Sequence, residues 1–288
     1  MLSKIYLETT NVCNLSCSFC HGTCRTPKYM TMQEFDTVIS AIKGKAKYLY
    51  LHLMGEPLLQ PHLAQMAHKA HSAGFEVMLT TNGTLLSQCG EFIYKSGDVK
   101  KVSISLQSVD IENNRNTSQT HGSLDEYLKG CADFAAKCAQ NGVICVLRLW
   151  NLDGNIHKND EILQRLHTLF PEKWIKNRSG YKLFDAPKGQ NEVYLEFGEQ
   201  FTWPDKNGNA HNVHFCHALR DQIGILCDGT VVPCCLDADG EISLGNIFES
   251  DLDLILSSPR AVALADSFEK RTPCEALCKT CGYAQQFG

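Results

Sequence analysis

Residues Cys13-Asn14-Leu15-Ser16-Cys17-Ser18-Phe19-Cys20 place three thiols at C-x3-C-x2-C spacing, just after the run Lys4-Ile5-Tyr6-Leu7-Glu8-Thr9. That run alternates apolar and polar side chains with the period of a strand. The cysteines therefore sit on the loop that leaves a first strand. Three thiolates on one short loop can grip three irons of a [4Fe-4S] cubane and leave the fourth iron open to a ligand that is not protein. Electron-transfer clusters take four Cys instead. A structural zinc site built from the same cysteines with His21 or Cys24 is the alternative.

Beyond the triplet the pattern repeats. Strand signals recur at residues 47–53, 75–80, 99–106 and 143–149, and a weakly marked one at 191–197. Helical patterns lie between them at about 31–43, 60–73, 84–95, 123–140 and 159–170. Two of these open on capping boxes, Thr31 with Glu34 and Ser123 with Glu126. Repeated strand–helix units predict a parallel sheet with right-handed crossovers. Their number suits a partial (β/α)6 barrel of the TIM type, an α/β fold, and is too small for a closed eight-fold one. Chemistry in such sheets collects at the carboxyl ends of the strands. The triplet, Gly55-Glu56-Pro57, Asn82 and Ser105 all fall there. Gly55 permits close backbone approach, Glu56 can accept from an ammonium, and Pro57 fixes the exit of the turn.

The rhythm changes near residue 200, so the sequence predicts a barrel over 1–200 and a small Cys-rich unit over 201–288. In the second part Ile223–Cys227 and Thr230–Pro233 read as a hairpin turning at Asp228-Gly229. Helical pieces follow at about 247–257 and 259–268. Cysteines thicken here: Cys216, Cys227, Cys234, Cys235, Cys274, Cys278 and Cys281. Four thiolates drawn from a hairpin and a terminal C-x2-C can enclose one more iron–sulfur cluster or one zinc. Cys131, Cys138, Cys145, Cys227 and Cys89 read as packing residues.

Composition narrows the function classes. The chain has 288 residues, 43% hydrophobic and 20% charged, as a globular protein with a proper core requires. A net charge of −5 gives no electrostatic footprint for gripping a nucleic acid backbone. No run approaches the length of a membrane span. Met1-Leu2-Ser3-Lys4 enters the strand without an apolar signal region. Fifteen cysteines in such a chain point to metal sites in a reducing, cytoplasmic setting rather than to disulfides.

The triplet, with Phe19 before its third Cys, resembles that of the radical S-adenosylmethionine (radical SAM) superfamily. The resemblance implies that SAM chelates the open iron of the cluster held by Cys13, Cys17 and Cys20. One electron then cleaves its sulfonium, and the 5′-deoxyadenosyl radical takes a substrate hydrogen. It also implies SAM contacts from Phe19, Gly55, Glu56, Pro57, Asn82 and Ser105, and from Arg148 to the SAM carboxylate. The C-terminal cysteines, with Gly245-Asn246-Ile247 among them, resemble SPASM and shorter twitch extensions, which carry auxiliary clusters. Because the chain runs only seven residues past Cys281, the one-cluster form is expected. Its ligands would be Cys216, Cys234, Cys278 and Cys281, with Cys235 or Cys274 able to replace one and zinc as the other occupant.

Substrate contacts are expected from Glu8, His52, Gln107, Trp150, Asn151, Trp203 and Asp221, with a Trp stacking on a flat heterocycle. The stretches Arg148-Leu149-Trp150-Asn151, Phe201-Thr202-Trp203-Pro204 and Leu219-Arg220-Asp221-Gln222 resemble those of a radical SAM group that includes queuosine-salvage lyases. That likeness implies a nucleoside-like substrate and release of queuine from queuosine or its 5′-phosphate. A flavodoxin or ferredoxin would supply electrons. Oxidation of an aminocyclitol or sugar alcohol, and modification of a peptide, are the other readings.

Overall fold

The computed structural model describes residues 2–106, 123–151, 159–184 and 191–287. Eleven strands among these residues form one sheet, in the order β11-β10-β9-β1-β2-β3-β4-β5-β8-β7-β6. Strands β1 (Leu2–Leu7), β2 (Ala46–Tyr50), β3 (Glu76–Thr81), β4 (Val99–Ser105), β5 (Ile144–Asn151) and β8 (Val193–Glu199) run parallel. These are the six strands of the expected partial barrel, the faintly marked one included. Antiparallel β6 (Ile175–Lys176) and β7 (Gly180–Phe184) extend the sheet beyond β8. The sequence gives no clear signal for either.

Alternation fixes which side chains face which layer. In β1, Ile5 and Leu7 are wholly buried and face the helices, so Tyr6 and Glu8 face inward. Leu49, Val77, Leu79, Val102, Ile104, Cys145 and Leu147 continue the buried outer face. Against them pack Phe35, Val38 and Ile42 of α1 (Met32–Ile42), Met66 of α2 (Leu63–Ser72) and Leu128 and Ala135 of α5 (Leu124–Gln140). Both capping boxes form, at Thr31 with Glu34 and at Ser123 with Glu126. The pattern at 84–95 resolves into two short helices, α3 (Leu86–Cys89) and α4 (Glu91–Lys95). Gly90 lies between them, where any Cβ would meet the Leu86 carbonyl at 2.7 Å. Cys89 ends α3 exposed, whereas Cys131, Cys138, Cys145 and Cys227 are buried.

The change near residue 200 does not divide the sheet. The hairpin forms as β9 (Gln222–Ile225) and β10 (Thr230–Val232), but β9 also pairs in parallel with β1, setting Ile5 beside Ile223. Helix α6 (Asp160–Leu169) lies between β5 and β6, and beyond the hairpin come β11 (Gly245–Asn246), α7 (Leu252–Leu256), α8 (Pro259–Glu269), α9 (Ala276–Lys279) and α10 (Gly282–Gln285). No helix among the described residues is long and apolar enough to cross a membrane. Ser123→Ala removes the cap of α5, the helix that covers β5. It should lower stability by about 1 kcal/mol, read as a shifted urea midpoint with an unchanged m-value.

Candidate functional site

The Cys loop is shaped before any metal is considered. Thr10 and Asn11 follow β1 and bind the returning chain: Thr10 Oγ1 donates to Lys28 O at 2.9 Å and Asn11 Nδ2 to Thr26 O at 2.9 Å, while Lys28 N donates to Asn11 Oδ1 at 2.7 Å. On the other side lies the Gly55-Glu56-Pro57 turn. Glu56 N donates to Val12 O at 2.8 Å. Gly55 has φ +73°, and a Cβ there would meet Thr10 O at 2.5 Å and Val12 O at 2.8 Å. Only glycine fits this approach. Within the loop Cys20 N donates to Cys17 O, and sulfurs accept from the backbone, Cys13 from Leu15 N at 3.5 Å and Cys20 from Gly22 N at 3.4 Å. Such N–H donors stabilise thiolates in a cluster.

Cys13, Cys17 and Cys20 open onto a cavity of about 470 Å³. Phe19, Gly55, Glu56, Asn82, Ser105 and Arg148 line it, as do His52, Trp150 and Trp203. The sequence reading thus converges on one place for most of its candidates. Pro57 does not line the cavity; it is buried at the first position of a 3-10 turn. The Glu56 carboxylate is buried and serves the protein. It accepts from Leu58 N at 3.0 Å, Thr81 Oγ1 at 2.7 Å and Asn82 N at 2.7 Å. Burial outweighs these donors and raises its pKa to about 7. Asn82 in turn donates from Nδ2 to Asn14 Oδ1 at 2.9 Å, so the end of β3 holds the Cys loop.

Arg148 stacks 6.0 Å from the Trp150 ring. Trp203 donates from Nε1 to Phe19 O at 2.9 Å and stacks on His21. His52 packs edge-on against Tyr6 and Tyr50. Its Nδ1 is buried without a partner among the described residues, and burial with nearby Arg148 lowers its pKa to about 3.

Three expected substrate contacts lie elsewhere. Glu8 is wholly buried and its carboxylate is filled by Arg25, through NH2 at 2.7 Å and NH1 at 2.9 Å, and by the N–H groups of Met54 and Cys227. No lone pair remains for a substrate. Asn151 donates to Glu199 Oε1 at 2.6 Å and is buried beside Asn159. Asp221 pairs with His217 at 2.6 Å, away from the cavity lining. Gln107 lies outside the described residues. Sequence reasoning missed Arg25 and Asp239, since nothing in their spacing reports a contact across more than 200 residues.

The second cysteine group also assembles. Cys216, Cys234, Cys278 and Cys281 line one apolar cavity with Pro204, Leu236, Ile242 and Phe268. Cys235 instead hydrogen-bonds with Tyr6, and exposed Cys274 contacts Ala263 O. Burial pushes all four lining thiols up, Cys216 to about 11, and for Cys216, Cys234 and Cys278 the neighbouring sulfurs add to it. Metal cations reverse that cost, because a coordinating thiol is deprotonated outright. Backbone N–H groups of Ala218 and Ala284 already point at Cys216 and Cys281. No three His, Cys, Asp or Glu among the described residues gather closely enough to hold a single ion. The four cysteines line one cavity, and their thiols are the soft donors that iron–sulfur clusters take. Both donor sets fit an iron–sulfur cluster.

Gly55→Ala should drive the turn off the Thr10–Val12 backbone. The expected result is loss of iron from the Cys13 triplet with iron at the C-terminal cysteines retained, read by iron analysis and Mössbauer spectroscopy.

Comparison with known proteins gives these features a context. Residues 216–282 match the model of an iron-sulfur cluster-binding domain, SPASM. A probable GTP 3′,8-cyclase of Methanococcus vannielii is 29% identical over 277 residues, covering 83% of this chain and 86% of that protein. An AdoMet-dependent heme synthase of Methanosarcina barkeri is 31% identical over 128 residues, covering 43% of this chain but only 36% of the relative. Several curated relatives are matched over about two fifths of their length. The fold is shared with BtrN in complex with AdoMet and 2-DOIA, at TM-score 0.57 and 15% identity over 98% of this chain and 93% of that one. It is also shared with SuiB of Streptococcus suis, at TM-score 0.62 and 16% identity over 98% and 72%. Residues 7–166, more than half of the chain, match the radical SAM model. The chain therefore belongs to the radical SAM superfamily, and with it take their places S-adenosylmethionine, its [4Fe-4S] cluster and an auxiliary iron–sulfur cluster.

Proposed function

We propose that this radical SAM enzyme acts on a nucleoside, abstracting a ribose hydrogen so that the base departs, with queuosine or queuosine 5′-phosphate as substrate and queuine as product. The observation that carries this reading is the cavity of about 470 Å³ beside the triplet, lined by Trp150 and Trp203. Relatives named as GTP 3′,8-cyclases support the nucleoside class.

When bound, the cluster supplies the electron that cleaves SAM to the 5′-deoxyadenosyl radical, which removes the substrate hydrogen. The chain's residues do the rest. Cys13, Cys17 and Cys20 hold the cluster. Gly55 and Glu56 face the methionyl end; Glu56 Oε2, with one N–H already bound, keeps a lone pair for an ammonium. Ser105 and Arg148 extend the SAM site along β4 and β5. Trp203, locked to Phe19 O, stacks on the base, while Trp150 closes the opposite wall. Enclosure keeps water from the radical and holds the target C–H in reach. With Glu8 and Asp221 committed elsewhere, His52 and Thr80 are polar groups of the cavity lining that can read the base edge. Cys216, Cys234, Cys278 and Cys281 hold the auxiliary cluster, and a flavodoxin or ferredoxin delivers electrons.

A second reading is oxidation of a sugar alcohol or aminocyclitol. It is favoured by the adjacency of the two cavities, since Trp203 lines the one beside the triplet and Pro204 the one shared by the four C-terminal cysteines.

Reconstituted protein should contain about eight irons per chain. With dithionite, SAM and queuosine or its 5′-phosphate it should release queuine and 5′-deoxyadenosine together, measured by liquid chromatography. Turnover with a sugar or peptide alone overturns the lyase reading. Cys17→Ala should abolish SAM cleavage.

A further inference from the structure

The segment after Cys20 and the segment after Cys234 are bound to each other. Thr23 Oγ1 donates to Asp239 Oδ1 at 2.6 Å, Cys24 N donates to the same oxygen at 2.9 Å, and His21 Nε2 lies 3.4 Å from Asp239 Oδ2. Arg25 Nε donates to Ala238 O at 2.9 Å while its two terminal nitrogens grip Glu8. The loop bearing Ala238 and Asp239 is rigid for its own reasons. Buried Asp237 accepts from Glu241 N at 2.9 Å and Ile242 N at 2.8 Å, and Asp237 also lines the four-cysteine cavity. A second tether runs through Trp203-Pro204: Trp203 lines the SAM cavity and holds Phe19 O, and Pro204 lines the auxiliary cavity. Phe19 and His21 flank Cys20, so every one of these contacts bears on the third triplet ligand.

We infer that Asp239 is a positioning residue: it carries the geometry of the auxiliary-cluster loop to Cys20, so that the SAM-binding cluster sits correctly only when the C-terminal cysteine loop is in place. Asp239 does not itself line the SAM cavity and meets it only through Thr23, which does. It acts on the segment that Cys20 begins, as outer-sphere partners of metal ligands do elsewhere. The inference rests on the two-cluster assignment and is independent of which substrate is turned over.

The test needs no substrate. In Asp239→Ala, amide hydrogen exchange across residues 13–25 should quicken in both metal-free and reconstituted protein, while α5 peptides exchange as in the wild type. In the reconstituted protein the electron paramagnetic resonance signal of the SAM-bound cluster should shift, the auxiliary signal should not, and the Kd for SAM should rise roughly tenfold or more. Asp239→Asn, which keeps an oxygen acceptor for Thr23 and Cys24, should restore most of the loss. Wild-type exchange at 13–25 with a wild-type SAM-bound signal overturns the inference. So does loosening that includes α5, which would mean global destabilisation. Should Asp239→Ala not fold, Thr23→Val removes one donor from the same contact and is judged by hydrogen exchange of the metal-free protein alone, because Thr23 also lines the SAM cavity. A negative queuosine assay leaves these outcomes untouched.

Discussion

A buried carboxylate governs this architecture. Glu8 stands at the end of β1 with no access to water, and its two oxygens take both terminal nitrogens of Arg25 and the N–H groups of Met54 and Cys227. A charge buried this deeply is tolerable only when paired and hydrogen-bonded. Leaving it without its partner costs on the order of 3–5 kcal/mol. The four donors come from three places: the exit of the Cys loop, the approach to the Gly55 turn and the auxiliary hairpin. One side chain therefore makes the mutual placement of these segments an electrostatic necessity.

From that anchor the cavity follows. The Gly55 turn rests on the backbone of residues 10–12, Glu56 ties it to the end of β3, and Asn82 returns a hydrogen bond to Asn14. Each strand end is braced by its neighbour, so the polar groups facing the cavity are held by structure, leaving little ordering to be done on binding. Glu56 illustrates the economy. One of its three donors comes from the turn and two from the end of β3, and its raised pKa records how dry the position is.

Much of this was legible in the sequence because it is local. Strand period, capping boxes and Cys spacing depend on neighbours within a few residues, and they located the six parallel strands, the triplet and the four cysteines that share a cavity. What depended on distant partners was not legible. Glu8 looked like a polar residue facing a lumen, and only Arg25, seventeen residues on, reveals that it is spent. Asp221 and Asn151 similarly find partners the pattern does not announce. The split at residue 200 reflects a change of rhythm, yet hydrogen bonding ignores it, because β9 completes the sheet beside β1.

That pairing has a consequence for how the sheet closes. The strand that covers the free edge of β1 lies more than 200 residues further along the chain. Until it arrives, β1 presents an unpaired edge of the kind that recruits foreign strands, and closure across so long a loop is slow. The segment that follows the triplet is braced by Cys227, Ala238 and Asp239, all of them distant in sequence. The three-cysteine loop therefore owes its shape to contacts more than 200 residues away in sequence, so that local folding around the triplet cannot by itself complete it.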